Sequence, residues 1–269
     1  MSPATSMTSQ ELLRWYVEAG VDETISEQPV NRFLKPEAIQ PEAKQKGLAD
    51  AAPPSSLAPP PEISGSANGE VTSAVHLAQA AQTVDELKAA LETFDGCGLK
   101  KTATNLVFTD GNAAAPILFI GEGPGAEEDR QGLPFVGPSG KLLDKMLASI
   151  GLDRSGVLIS NTVFWRPPGN RTPSALETAV CLPFIERLIE LVDPKILVTL
   201  GGPAAKSLLA QTQGVGRLRG RWFTYSTPKL SHPIDATAMF HPAYLLRSPG
   251  QKRDTWRDLL EIKRRLQSS

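Results

Sequence analysis

The sequence predicts an α/β fold, a three-layer α/β/α arrangement around a mostly parallel sheet. Three observations point to it. β-type runs alternate with amphipathic helical segments over the C-terminal two thirds of the chain. The 269 residues are 41% hydrophobic, enough for a sizeable core. Glycine- and proline-rich loops follow the β-type runs, where such folds carry their functional groups, at the carboxyl ends of strands.

The elements follow in chain order. "MTSQELLRWYVEAGV" predicts a short helix with Ser9 as N-cap, Leu12, Leu13, Tyr16 and Val17 at helical spacing, and Gly20 as the stop. Residues 1–33 are therefore expected to form a short helical segment. Residues 34–73, which include "AAPPSSLAPPPEISGSANGE", read as a flexible linker in a disordered N-terminal extension, because so little apolar surface cannot offset the entropy of ordering. A short helix on such a tether suggests a docking element for a protein partner.

The compact domain is expected over residues 74–269. "TVDELKAALETF" is a helix with Thr83 as cap and Glu86 at the capping-box position. Strands are expected in "APILFIG", "GVLISNTVFW", "KILVTLGG" and "ATAMFHP", and helices in "GKLLDKMLASIG", "SALETAVCLPFIERLIELV" and "GPAAKSLLAQ". A final helix, "QKRDTWRDLLEIKRRL", is expected to turn Trp256, Leu259, Leu260 and Ile262 towards the domain.

Composition excludes several classes. Two cysteines, Cys97 and Cys181, are too few for a disulfide framework or a four-thiolate metal site. No apolar run approaches the roughly 20 residues that cross a bilayer, and no basic-then-apolar leader opens the chain. A monomer in the reducing cytoplasm, without membrane contact, is the expectation. The net charge of −1 hides an asymmetry: residues 214–269 carry 11 Lys/Arg against 4 Asp/Glu. Such a basic block is either a solvated face or a track for an anionic polymer such as nucleic acid.

"ILFIGEGPGAEEDRQGLPFVG" is the most informative stretch. Gly121, Gly123 and Ala126 fit the dinucleotide pattern G-x-G-x-x-G/A after a strand. Pro124 removes a backbone N–H, however, "EEDRQGLPFVGPSG" reads as a loop where that pattern opens a helix, and no acid ends a second strand about 20 residues on. Glycines can instead let a flat ligand lie against bare backbone. Phe135 on the same loop would then stack on it, although an isolated Phe more often serves to pack a core.

Three motifs in this order and spacing, "GEGPGAEEDRQGLPFVGPSGKLLDKML", "NTVFWRPPGNRTPS" and "FHPAYLLR", resemble the family-four uracil-DNA glycosylases, a group typified by thermophile enzymes with an iron–sulfur cluster. The resemblance spans about Gly96 to Leu266. It implies a monofunctional glycosylase that flips uracil out of DNA and hydrolyses its glycosidic bond to initiate base excision repair. Catalytic candidates are then Glu122, Glu128 and His241, with Glu127 and Asp129 read as solvated charge or a helix cap. Gly123, Gly125, Phe135 and Asn161 would bind the base. Arg166, Asn170, Arg171, Leu245, Leu246 and Arg247 would contact DNA, the last three filling the gap left by the flipped base. No lysine is required for a Schiff base, so no lyase step is expected.

The pattern breaks at the cluster. Cys97 and Cys181 match two of the family's four cysteines, while Phe94 and Trp165 stand at the other two. Two thiolates cannot complete a four-ligand set, so no iron–sulfur cluster and no other metal is expected. The basic, histidine-bearing loop of a related group that bonds covalently to uracil is also missing: Trp165 runs directly into "RPPGNRTP". The competing class is a non-catalytic binder of damaged or abasic DNA on the same fold. His76 and His232 read as surface residues.

Overall fold

The computed structural model describes the backbone of residues 65–268 and the side chains of residues 69–268. All of these belong to the compact unit Pro59–Ser269. The expected N-terminal helix and most of the expected linker lie outside the described residues. Helix α1, Gly65–Ala80, begins inside the stretch read as linker, so residues 65–73 are helical rather than tether. Ala74 and Ala78, one turn apart, are buried in the core and explain why so polar a segment is held.

In α2, Val84–Thr93, the Thr83 hydroxyl caps Glu86 N–H at 3.1 Å. The Glu86 carboxylate accepts from Gln82 N–H at 2.7 Å rather than from Thr83. The two-residue strand β1 (Asp110–Gly111) leads into β2 (Ile117–Gly121) and then α3 (Ala126–Gln131). The expected long loop thus contains a one-turn helix. Next come α4 (Pro138–Ser149), β3 (Leu158–Asn161), α5 (Ala175–Val192), β4 (Ile196–Leu200) and α6 (Gly202–Leu209). The chain closes with α7 (Val215–Leu218), β5 (Trp222–Tyr225), β6 (Ile234–Met239), α8 (Pro242–Arg247) and α9 (Lys252–Ser268).

The sheet order is β1-β3-β2-β4-β6-β5, with β3, β2, β4 and β6 parallel and both edge strands antiparallel. Alternation along the strands divides the core in two, as the two-residue period of a strand requires. Leu118 and Ile120 of β2 face one side with α1, α2 and α5; Ile117 and Phe119 face the other with α4, α8 and α9. From β2 the chain goes to β3 on one side and returns to β4 on the other. A crevice therefore opens at the carboxyl ends of these strands.

Cys97 and Cys181 lie fully buried in the first core with their sulfurs 3.9 Å apart and unbridged. The hydrogen bond to Cys97, reinforced by burial, holds the Cys181 thiol well above its usual range. Phe94 packs on Phe184 at 5.1 Å between centroids, and Trp165 meets Phe164 edge-on at 6.2 Å. Both aromatics are buried in the same core as the thiols.

Helix α9 corrects one expectation. Leu259 and Ile262 are buried, but Trp256 and Leu260 are 41% and 44% exposed. The inward stripe is Thr255, Asp258, Leu259 and Ile262, in which two polar residues take inner positions. Among the described residues no helix is long and apolar enough to cross a membrane.

Candidate functional site

A cleft of about 1020 Å³ opens over the carboxyl ends of the parallel strands. Its floor is set by register: Gly121, last in β2, pairs with Asn161, last in β3. A Cβ at Gly121 would lie 2.5 Å from Asn161 Oδ1 and 2.6 Å from Phe135 Cζ, so glycine there lets an amide and an aromatic ring meet over bare backbone. Asn161 is 1% exposed, and its Oδ1 has no hydrogen-bond partner among the described residues. An unsatisfied buried acceptor is costly, and here it faces a cleft that could supply a donor.

Phe135 is buried, but at φ 55°, a conformation that a bulky residue adopts only when its surroundings impose it. Its ring lies 5.5 Å from that of His241, inclined by 32°. His241 is the N-cap of α8, and its Nδ1 accepts from Ala243 N–H at 3.1 Å. With that lone pair occupied, the neutral imidazole carries its proton on Nε2 and presents a donor. Burial, then the charge of Arg247, lowers the His241 pKa to about 4, so the ring is neutral at pH 7.

The acids after β2 separate by environment. Glu122 lines the cleft half-buried, with a hydrogen bond to Thr172, and burial raises its pKa above the usual carboxylate range. Glu128 is buried and engaged by backbone: Oε1 accepts from Val136 N–H (3.0 Å) and Gly137 N–H (2.8 Å), and Oε2 from Gly125 N–H (3.2 Å). This carboxylate braces loops, an arrangement at odds with the expectation of a reacting acid. Gly125 caps α3, and Gly123 packs where a Cβ would be 2.7 Å from Val163 Cγ2. Glu127 is exposed and paired with Arg130, as expected of solvated charge. Asp129 is buried instead and accepts from the N–H groups of Thr104 (2.8 Å) and Asn105 (3.1 Å).

At the mouth, Asn170 and Arg171 line the cleft, while Arg166 holds Asn170 through Nε–H···Oδ1 at 2.7 Å. Arg171 forks onto Glu177 at 2.8 and 2.6 Å and draws its pKa down to about 2. Its guanidinium is thus already engaged. Arg247 also lines the cleft. Leu245 corrects an expectation: it is 1% exposed and lies in the same buried core as Leu259 and Ile262, so it is not available to insert into DNA. The outward residues of α8 are Tyr244 (37% exposed), Leu246 (45%) and Arg247. His232 and His76 are exposed, as read from sequence.

Sequence reasoning passed over three cleft residues. Tyr244 stacks on Phe240 at 5.1 Å. Gly201, at φ 97°, lets the end of β4 approach His241, whose Cβ would be 3.2 Å from any Cβ there. Arg219 donates to both oxygens of Asp258 (3.0 and 2.9 Å) with its carbon 5.6 Å from the Phe240 ring centre. Burial, the larger effect, still pushes Asp258 up to about 6 against the pull of Arg219. The tyrosine lay in the quoted third motif and the arginine in "RLRGR", but nothing in either string fixes which way a side chain turns.

Comparison with known proteins agrees with this geometry. The family model described as the uracil DNA glycosylase superfamily matches residues 108–260, which include Glu122, Phe135, Asn161 and His241. The chain is 36% identical over 185 residues to a type-4 uracil-DNA glycosylase of Archaeoglobus fulgidus, covering 67% of this chain and 92% of that protein. It is 37% identical over 177 residues to the type-4 enzyme of Saccharolobus solfataricus (64% and 81% covered) and 40% identical over 153 residues to that of Thermotoga maritima (56% and 77%). Matched over more than half its length, with the shared segment carrying the whole strand-end cleft, the chain belongs to the uracil DNA glycosylase superfamily.

Proposed function

We propose that the chain is a uracil-DNA glycosylase, hydrolysing the N-glycosidic bond of deoxyuridine flipped from DNA into the strand-end cleft. The observation that carries this is the buried, unpartnered Oδ1 of Asn161 beside the Phe135 ring. Uracil offers N3–H to that oxygen and O4 to the same amide's N–H₂, with its flat face against Phe135. Cytosine reverses the donor and acceptor and mispairs, at a cost of about 1–3 kcal/mol for each buried group left unsatisfied. The names of the type-4 relatives agree with this substrate.

Bond cleavage leaves negative charge on the uracil ring and positive charge on the sugar. A donor aimed at O2 strengthens as the first charge grows, and His241 Nε2–H would serve as that donor. Its neutrality suits product release, because a fixed cation would hold the uracil anion. Glu122, the less constrained carboxylate, orients the attacking water or stabilises the sugar cation, while Glu128 holds the loops that carry Gly125 and Phe135. Tyr244, Leu246 and Arg247 on the outward side of α8 fill the gap left by the flipped base, and Asn170 with Arg166 contacts the backbone.

The family's cluster does not fit this chain. Two thiols 3.9 Å apart, with Phe94 and Trp165 packed in the same core, supply half of a four-thiolate set. Aromatic packing substitutes for the metal as the local staple, and no catalytic step depends on the cluster. Purified chain should carry no stoichiometric iron by elemental analysis; one cluster's worth of iron and sulfide per chain would refute this.

Variants test the site. On a uracil-containing oligonucleotide, His241→Ala should lower the single-turnover rate on the order of 10²-fold with DNA affinity little changed. Asn161→Ala should weaken both uracil release and discrimination against cytosine. Parent-like rates in both variants would overturn the assignment in favour of a non-catalytic DNA binder.

The pH profile is a separate prediction. Because the folded His241 pKa is depressed to about 4, the imidazole stays neutral down to that pH, and no inflection should appear near 6.5. An acid limb, if present, belongs to Glu122, whose ionised form is lost as pH falls through its raised pKa, and Glu122→Gln should abolish that limb. Nuclear magnetic resonance titration of the His241 ring with a midpoint near 6.5 would contradict the account.

A further inference from the structure

The Phe135 ring is where it is because charged groups hold the peptide chain on both sides of it. Val136 and Gly137 donate their N–H groups to Glu128, at 3.0 and 2.8 Å. On the other side, the carbonyls of Pro134 and Phe135 accept from the guanidinium of Arg154, the first from Nη1 at 3.2 Å and the second from Nη2. An anion thus takes the amides and a cation takes the carbonyls of one four-residue loop. Between them stands Phe135 at φ 55°. Helix α4 completes the clamp at Gly140, where a Cβ would fall 1.6 Å from the Phe135 carbonyl oxygen.

Arg154 is anchored in turn. Its Nε donates to Asp144 of α4 at 2.9 Å, and its Nη1 to Asp110 of the edge strand β1. A planar fork serves these four acceptors in fixed directions, which the point charge of a lysine cannot do. The residue is about one quarter exposed and does not line the cleft, so it meets neither base nor DNA backbone there.

We propose that Arg154 is a positioning residue, which sets the Phe135 ring over Gly121 by holding its carbonyl and so acts on base stacking from behind the site. This rests on the glycosylase reading for its functional consequence, but not for the placement of the ring.

The test uses the full chain with 4-fluorophenylalanine at position 135, read by fluorine magnetic resonance. The parent should give one narrow resonance, shifted and broadened in Arg154→Met and partly restored in Arg154→Lys. Asp144→Asn, which frees the guanidinium without touching the loop, should move the resonance in the same direction. In parallel, single-turnover uracil release gives a double-mutant cycle. Arg154→Met should raise the half-saturating enzyme concentration about tenfold with Phe135 present, and less than about twofold in a Phe135→Ala background. An unmoved resonance in the folded Arg154 variants, or fully additive effects in the cycle, would overturn the proposal. If Arg154→Met does not fold, the lysine and Asp144→Asn variants carry the same comparison, with an unmoved resonance as the contrary result. A parent chain that releases no uracil would refute the glycosylase reading alone, since the fluorine comparison still decides where the ring is held.

Discussion

At Gly121 a single methyl group would collide with Asn161 Oδ1 at 2.5 Å and with Phe135 Cζ at 2.6 Å, and the cleft is organised around that missing atom. Parallel pairing places Gly121 beside Asn161, and the loop after α3 folds back so that the Phe135 ring covers both. The amide can then be buried with its oxygen facing the cleft, while the ring provides a flat wall. Neither group alone would distinguish a ligand from ordinary core. Their meeting over bare backbone gives a surface complementary to a planar heterocycle with a carbonyl beside an N–H.

Charge is distributed by burial rather than by sequence position. Glu127, Glu128 and Asp129 are consecutive, yet the first is solvated and the other two are buried against backbone amides. Those two act as staples: each ties a loop to α3, so the one-turn helix organises its surroundings through its acids. Glu122, one residue past β2, keeps a cleft-facing carboxylate with a raised pKa. His241 is held neutral by its surroundings, and its backbone contact through Nδ1 leaves Nε2–H as the donor. An acid able to take a proton and a neutral donor therefore face one cavity, the separation of roles that general acid–base and electrostatic catalysis need.

Much of this was legible in the sequence because the central strands are buried on both faces and read as continuous apolar runs. "ILFIG" and "ILVTL" could hardly be anything else, and the three strand-end motifs placed Asn161, Phe135 and His241 in one cleft. The failures have specific causes. Strand β5, half-buried at the edge, and the two-residue β1 carry too little pattern to be seen. Helix α1 opens on Gly65, Ser66, Asn68 and Gly69, which are poor helix formers, and it is held by Ala74 and Ala78 packing in the core, which no local propensity reports. Leu245 was misassigned because the rotation of a six-residue helix depends on its cap. With His241 as N-cap, position 245 turns inward and 244 and 246 turn outward. The long reach of Arg154 to a loop some 20 residues earlier is a tertiary fact with no local signature.

The central claim is that the Asn161 amide reads uracil, and the side-chain amide resonances of Asn161 in ¹⁵N-labelled chain test it most directly. Addition of free uracil should shift both amide protons in a saturable manner, while cytosine at the same concentrations should leave them in place. Equal responses to the two bases, or no response of Asn161 to uracil while other residues of the cleft do respond, would contradict the account.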